Sequence, residues 1–128
     1  MRNGTLQAKS FDLTVKVVNL YKHLGAKARK IDIPMRLFYS ATSIGANVSE
    51  AKRAQSKEAF DSKIRLALQG ATESKYWLRV LYKNDNLNKN EYNSIHGEVE
   101  ALISLLESTT AVGDSESKAE RNNEQCTT

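Results

Sequence analysis

Two helical patterns joined by a short polar turn fill the middle of the chain, over residues 37–82. In each pattern, apolar or small residues recur mainly at spacings of four and three, which places them on one face of an α-helix. The first stripe consists of Leu37, Ala41, Ile44, Val48 and Ala51. The second consists of Phe60, Ile64, Ala67, Ala71, Ser74, Leu78 and Leu81. The two stripes predict a pair of antiparallel helices that share one core.

Residues that commonly begin or end helices give the expected bounds of these two helices and of two more. Pro34 suits the first turn of the second helix, which should run to about Ala54, and Ser56 should cap the third, which should run to about Lys83. A first helix is expected from the cap Ser10 to near Gly25. Its inward face is predicted to comprise Phe11, Val15, Val18 and Leu24, widened by Leu13, Val17, Leu20 and Tyr21.

The fourth helix carries the clearest start signal. Asn88 and Glu91 have the spacing of a capping box, and Leu87 with Tyr92 has that of a hydrophobic staple. The apolar face that follows is Tyr92, Ile95, Val99, Leu102, Ile103 and Leu106. After about Thr110 the sequence turns to Ser, Glu, Asn and Thr, which bury too little apolar surface to offset the entropy of ordering.

Four amphipathic helices with short connections predict an all-α fold, an antiparallel up-down-up-down four-helix bundle. The chain of 128 residues suits one modest core. The predicted organisation is a flexible N-terminus at 1–9, the bundle at 10–110 and a disordered polar tail at 111–128.

Composition and spacing argue against several classes of function. The single cysteine, Cys126, allows neither an internal disulfide nor a cysteine-based zinc site, and thiol catalysis would lack a fixed base. No apolar run approaches the roughly 18 residues of a membrane span, and no signal-peptide core is evident. We therefore expect a cytoplasmic protein.

No residue set for catalysis, a metal or a cofactor emerges either. Glu50 and Glu73 are candidates for an acid and a base, but His23 and His96 do not follow a glutamate at the spacing of a di-iron bundle site. There is no glycine-rich phosphate loop. We expect no enzymatic activity and no cofactor.

The distribution of charge is the remaining indication of a function. The formal net charge is +4, and the net −2 of the residues from Gly113 onward leaves the preceding 112 residues at about +6. Such a body suits RNA or DNA, although charges on solvated helix faces are the simpler interpretation. Tyr39 and Tyr82 have rings able to stack on bases. The candidate nucleic-acid contacts near the first linker and near the second turn, at opposite ends of an antiparallel bundle, are Lys22, Lys27, Arg29, Lys30, Arg36, Lys52, Arg53, Lys57 and Lys63.

Two further features concern packing. Gly45 interrupts the second helix, where a close helix crossing would explain its presence, and Asn47 is expected to be buried and hydrogen-bonded across helices rather than to bind a ligand. The segment around Tyr76, Trp77 and Val80 is apolar almost all the way round, which favours an oligomer interface over simple coverage of the bundle end.

Several segments together resemble a known family of small bacterial four-helix bundle proteins. The most specific is Ser-Ile-x-x-Asn-Val-x-Glu at 43–50, within 40–51. The others are Ser56-Lys57-Glu58 with Phe60, Ala67-Leu68, Ala71-Thr72-Glu73 and Tyr76-Trp77-Leu78. The family includes the protein encoded within intervening sequences of 23S rRNA genes and the accessory variability determinant of diversity-generating retroelements. The resemblance covers about residues 11–108.

The resemblance implies a cytoplasmic, non-enzymatic bundle that forms a homopentameric barrel. We expect structural roles for Ser43, Gly45, Asn47, Glu50 and Glu73. In the retroelement branch the resemblance also implies a basic barrel that binds nucleic acid and joins a reverse transcriptase in mutagenic cDNA synthesis from a template RNA. Ala51 stands where a glycine is expected, and the acidic tail lies outside the shared pattern. The alternative is a protein-interaction adaptor that binds no nucleic acid.

Overall fold

The computed structural model describes the backbone of residues 2–24 and 32–126, and the side chains of residues 4–24 and 32–110. Four helices and no strand occur in these ranges, which confirms the all-helical prediction. The helices are α1 (Arg2–His23), α2 (Ile33–Lys52), α3 (Lys57–Lys83) and α4 (Lys89–Cys126). The C-cap expected at Gly25 lies outside the described residues.

All four helices contribute to one core. Among the described residues, α1 packs against α2 and α4, and α3 also packs against α2 and α4. The predicted stripe of α2 is buried throughout, and that of α3 is buried except for Phe60, which is partly exposed. On α4 the residues Ile95, Val99, Leu102 and Leu106 are buried. The arrangement is that of a four-helix bundle.

The predicted start signals form the expected hydrogen bonds. Ser56 accepts a hydrogen bond at Oγ from the backbone N–H of Ala59, with an N···O distance of 3.1 Å. The capping box is reciprocal: Glu91 N–H donates to Asn88 Oδ1 at 2.8 Å, and Asn88 N–H donates to Glu91 Oε1 at 3.1 Å. Pro34 lies in the first turn of α2, as predicted. Local chemistry thus sets three of the four helix starts.

The first helix differs from the prediction in both its start and its register. It begins at Arg2, so Ser10 is an interior residue whose Oγ donates to the carbonyl of Gln7, not a cap. Leu6 is buried and adds a turn to the apolar face, which shifts that face away from Phe11 and Val15; these are 67% and 43% exposed. The buried stripe is Leu6, Ser10, Leu13, Val17, Leu20 and Leu24.

At the other end of the chain, α4 continues past the predicted end near Thr110 to Cys126. The sequence-based bound is therefore too early for the backbone. No apolar stripe beyond Leu106 signals this continuation, since polar residues alone do not distinguish an exposed helix from a coil. The predicted disorder of residues 111–128 remains a prediction.

Helices α2 and α3 approach each other closely at Gly70. A Cβ atom at this position would lie 2.9 Å from the backbone oxygen of Ser40 and 2.5 Å from Oγ of Ser43. Beside it, the hydroxyls of Ser40 and Ser74 form a buried hydrogen bond with an O···O distance of 2.9 Å. Small and polar side chains therefore let these two helices pack with their backbones close together.

The crossing predicted at Gly45 is present but looser. A Cβ atom there would lie 3.3 Å from Oγ1 of Thr14 on α1 and 3.8 Å from the backbone oxygen of Ser10. The sequence-based prediction named Gly45 and missed Gly70, although each is an isolated glycine within a helix. Spacing alone does not show which of the two meets a neighbouring backbone.

Candidate nucleic-acid interface

The turn between α2 and α3 presents three exposed cations within a few residues. Lys52 is in the last turn of α2, Arg53 is its C-cap, and Lys57 is the first residue of α3. The ammonium group of Lys52 donates to Oε1 of Gln7 on α1, with an N···O distance of 3.2 Å. The turn places these three exposed charges together at one end of α2, and Lys57, like Lys52, also makes an interaction within the protein.

Lys63, another of the predicted nucleic-acid contacts near this turn, forms an ion pair with Glu50. Its Nζ atom lies 2.6 Å from Oε2 of Glu50, and both side chains are partly exposed. Exposed pairs of this kind contribute at most about 1 kcal/mol to stability, but they do reduce the local positive potential. Cations along the helices are paired in the same way: Lys16 with Glu98, and Lys75 with Glu100 at 3.3 Å.

The second predicted group of cations, near the first linker, is described only in part. Lys22 is exposed in the last turn of α1, whereas Lys27, Arg29 and Lys30 lie outside the described residues. The fifth member, Arg36, lies over the ring of Trp77, with its Cζ 5.5 Å from the ring centroid. Arg36 therefore belongs to a different feature, a groove between α2 and α3.

This groove has a volume of about 580 Å³. Residues that the sequence assigned to three separate roles line it together: Arg36 as a nucleic-acid contact, Ser43 and Glu73 as structural residues, and Tyr76 and Trp77 as interface residues. Its remaining lining residues are Tyr39, Ser40 and Thr72. We refer to it below as the α2–α3 groove. Spacing within each helix did not predict it, because it depends on how the two helices face each other.

Aromatic rings form much of the wall of the α2–α3 groove. Tyr39 is 65% exposed and Tyr76 is 58% exposed. Tyr76 meets Trp77 edge to face, with ring centroids 4.9 Å apart. Trp77 itself is partly buried against the core. Its contacts within the bundle are compatible with both interpretations, interface and bundle-end cover, so the interface at Tyr76, Trp77 and Val80 remains a prediction.

The other tyrosine considered for base stacking is occupied within the bundle. The ring of Tyr82 stacks on Tyr92, with centroids 4.4 Å apart and an interplanar angle of 11°, and Tyr92 stacks in turn on His96. Tyr39 therefore remains the better candidate for contact with a ligand.

The hydrogen bond expected for Asn47 is not the one found. Its Nδ2 donates to the carbonyl oxygen of Ser43, one turn earlier on the same helix, at 2.9 Å, and the side chain is only partly buried. The prediction of a buried bond across helices is wrong. The residues that link α2 and α3 by a buried hydrogen bond are Ser40 and Ser74 instead.

Neither histidine occupies a site of metal-binding character. His23 Nδ1 donates to the carbonyl oxygen of Asn19 at 2.6 Å, and His96 Nε2 lies 3.5 Å from Glu100. No cluster of three or more His, Cys, Asp or Glu side chains with metal-binding geometry occurs among the described residues. None of the helices, over the part of the chain that the structure describes, has the length and apolarity to cross a membrane.

A family model and a solved structure show which proteins this chain is similar to. A family model described as 23S rRNA-intervening sequence protein matches residues 3–108. The chain belongs to this family. It is also similar to the crystal structure of a Bacteroides thetaiotaomicron protein of unknown function from the S23 ribosomal protein family. The two are 34% identical with a TM-score of 0.82, and the match covers 87% of this chain and 99% of the other. No curated protein matches the chain.

Proposed function

We propose that this member of the 23S rRNA-intervening sequence protein family is a non-enzymatic, cytoplasmic accessory protein that binds RNA or DNA through its basic surfaces. The observation that carries the proposal is the group of exposed cations at the α2–α3 turn, Lys52, Arg53 and Lys57, on a chain of net charge +4. Cations grouped in this way attract phosphates through a salt-dependent interaction that is largely independent of base sequence.

The proposal includes an antiparallel bundle. The contact between Arg36 and Trp77 supports it most directly, because both residues lie far from the turn that joins α2 and α3. Two further contacts, close to the connecting turns, are consistent with it. Arg36 at the start of α2 lies over Trp77 near the end of α3, and Glu50 at the end of α2 pairs with Lys63 near the start of α3. Tyr82, near the end of α3, stacks on Tyr92 in the first turn of α4.

The proposed assembly is a homo-oligomer, a pentameric barrel, whose modest patches would repeat into a strongly positive surface. The exposed ring of Tyr76 beside Trp77 supports a contact between copies. In the finer version of the proposal, the barrel holds a template RNA near a reverse transcriptase of a diversity-generating retroelement. That version rests on the sequence resemblance at 40–51.

The test is light scattering of the full chain with and without a short structured RNA, at low and at moderate salt. We expect a particle several chains in mass that gains RNA at low salt and loses it at moderate salt. The triple variant Lys52→Gln, Arg53→Gln, Lys57→Gln should bind all RNA sequences more weakly. Each lost phosphate contact should reduce the magnitude of the slope of log affinity against log salt by about 0.7 in single strands and by about 0.9 in duplex regions, so the slope of this variant should become shallower by about 2–3.

The matched control removes three exposed cations elsewhere: Arg79→Gln, Lys83→Gln and Lys89→Gln. Both triple variants have the same net charge, so only the location of the charge differs. An equal loss of RNA affinity in the two variants would contradict a binding site confined to the α2–α3 turn. Unchanged RNA affinity in the first variant would refute the assignment of that turn. A monomer that does not bind RNA would refute both the proposed oligomer and the proposed nucleic-acid binding.

The alternative is a protein-interaction adaptor, favoured by the aromatic surface at Tyr76 and Trp77. In that case the positive charge would only maintain solubility. A complex with a protein partner that persists at moderate salt, together with absent RNA binding, would support the adaptor over the polyanion-binding function.

A further inference from the structure

Three side chains that line the α2–α3 groove can accept hydrogen bonds from a ligand: Ser43, Thr72 and Glu73. Oγ of Ser43 donates to the carbonyl oxygen of Ser40 at 2.7 Å, and Oγ1 of Thr72 donates to that of Leu68 at 3.0 Å. Since each hydroxyl has a single proton, both present lone pairs toward the groove. Glu73 adds a carboxylate, and it has no hydrogen-bond or ion-pair partner among the described residues. A ligand that satisfies these three acceptors must bring hydrogen-bond donors.

The other half of the lining is aromatic and cationic. The exposed rings of Tyr39 and Tyr76 and the partly buried ring of Trp77 offer flat apolar faces. The guanidinium of Arg36 over Trp77 adds a further plane and a positive charge. That charge disfavours a cationic ligand such as a polyamine or an arginine side chain, although the rings and the carboxylate would otherwise suit one. It favours a ligand that carries an anionic group beside a flat, neutral ring.

A nucleotide combines these features, and one base matches Glu73 better than the others. Guanine has two adjacent donors on its Watson–Crick edge, N1–H and the N2 amino group, which can both donate to one carboxylate. Adenine, cytosine and uracil each place an acceptor next to a donor on that edge, so a carboxylate meets a lone pair. Unpaired bases are recognised in this manner, through their exposed edges and by stacking on aromatic rings and arginine planes. The volume of about 580 Å³ is within the usual range for small-molecule sites.

We propose that the α2–α3 groove binds an unpaired guanine nucleotide, with the base stacked among the aromatic side chains, its Watson–Crick edge on Glu73 and its phosphate on Arg36. The proposal rests on the proposed function for the source of the nucleotide, a single-stranded stretch of RNA, and it requires that any contact between copies leave the groove side of Tyr76 and Trp77 open. The same chemistry would bind free guanosine 5′-monophosphate. It adds base recognition to an interaction that is otherwise electrostatic.

The test uses the intrinsic fluorescence of the full chain, because Trp77 is its single tryptophan and lines the groove. Guanosine 5′-monophosphate should quench this fluorescence saturably. The adenosine, cytidine and uridine monophosphates should bind at least about tenfold more weakly, as expected for loss of a hydrogen bond to a charged group. A short oligouridylate with one central guanine should bind more tightly than the oligouridylate alone if RNA is the source.

Two variants separate base recognition from stacking. Glu73→Gln should reduce affinity for guanosine monophosphate by about tenfold and bring it to the level of the other nucleotides. The control Glu58→Gln removes an exposed carboxylate from the same helix outside the groove and should change nothing. Tyr39→Leu, at a side chain exposed enough to leave the fold intact, should weaken the binding of all four nucleotides together.

The outcomes are distinct from those for the basic turn. Selective binding of guanosine monophosphate that depends on Glu73 supports the site. Preference for the guanine-containing oligouridylate then identifies RNA as the source of the nucleotide, and no such preference identifies a free nucleotide. The inference is overturned by absent quenching, by equal quenching with all four nucleotides, or by an unchanged affinity in Glu73→Gln. Absent quenching is also the result expected if a second copy of the chain covers the groove. Salt-dependent RNA binding without guanine preference would leave the proposed function standing and refute this inference alone.

Discussion

Replacing Gly70 by alanine adds one methyl group at a point where α2 and α3 approach each other closely. The added Cβ would lie 2.5 Å from Oγ of Ser43 and 2.9 Å from the backbone oxygen of Ser40, shorter than an ordinary contact of 3.4 Å by about 0.9 and 0.5 Å. The hydroxyl of Ser43 cannot simply rotate away without giving up its hydrogen bond to that same carbonyl oxygen. The backbone oxygen can move only with its helix, so the two helices must separate locally.

Two opposing terms set the size of the effect. Alanine is favoured over glycine in a helix interior by about 1 kcal/mol. Overpacking of a close contact costs about 1–3 kcal/mol, and we expect the upper end because backbone is involved. Gly70→Ala should therefore lower the free energy of unfolding by about 2 kcal/mol. At the slopes typical of small domains in urea, this lowers the unfolding midpoint by about 1 M.

The measurement is urea unfolding followed by circular dichroism at one fixed protein concentration, since assembly would make stability depend on concentration. Gly97→Ala is the matched control, because a Cβ at this position in α4 meets nothing within 4 Å. It should raise the free energy of unfolding by about 0.5–1 kcal/mol. The two substitutions are chemically identical, so opposite signs would isolate the helix contact as the cause.

A Gly70→Ala protein as stable as the wild type would refute the reasoning. A double-mutant cycle tests the contact more directly. In a Ser43→Ala background the 2.5 Å contact is gone, while the 2.9 Å contact with Ser40 remains. Gly70→Ala should then cost less by at least about 0.5 kcal/mol, without becoming neutral. A cost that does not depend on Ser43 would mean that this side chain is not part of the obstacle.

Two further predictions concern helix register and capping, with the same unfolding assay. Leu13→Ala, at a side chain that is 0% exposed, should cost about 2–5 kcal/mol, whereas Phe11→Ala, at 67% exposure, should cost less than about 1 kcal/mol; similar costs would contradict the register of α1. Asn88→Ala should cost about 1 kcal/mol because it removes the acceptor of the bond from Glu91 N–H. Unchanged stability would show that water replaces the cap at no cost.

Local signals in the sequence were sufficient for much of the fold. The cap at Ser56 and the capping box at Asn88 and Glu91 depend only on residues three apart, and both form as predicted. The stripes of α2 and α3 are also local patterns, and they are buried as expected. The register of α1 failed because two apolar stripes overlap in its sequence. Choosing between them required Leu6, which lies before the expected cap at Ser10.

Features that depend on two helices at once could not be predicted in this way. Gly45 and Gly70 are equivalent as sequence interruptions, yet only Gly70 meets a neighbouring backbone within 3 Å. Likewise, Arg36, Glu73 and Trp77 were given different roles, because nothing in their spacing indicates that they line one groove. Periodicity determines which face of a helix is buried, but not the rotation and separation of two helices that share a core.

The tight contact between α2 and α3 also bears on how the chain folds. These helices are joined by a turn of a few residues, so bringing them together closes a short loop, whereas the hydrogen bond between Lys16 and Ser94 joins residues 78 positions apart. Closing the longer loop costs more chain entropy. We therefore expect the contact between α2 and α3 to form in the folding transition state and the contact between α1 and α4 to follow it. Gly70→Ala should then act mainly by slowing refolding, and Leu13→Ala mainly by speeding unfolding.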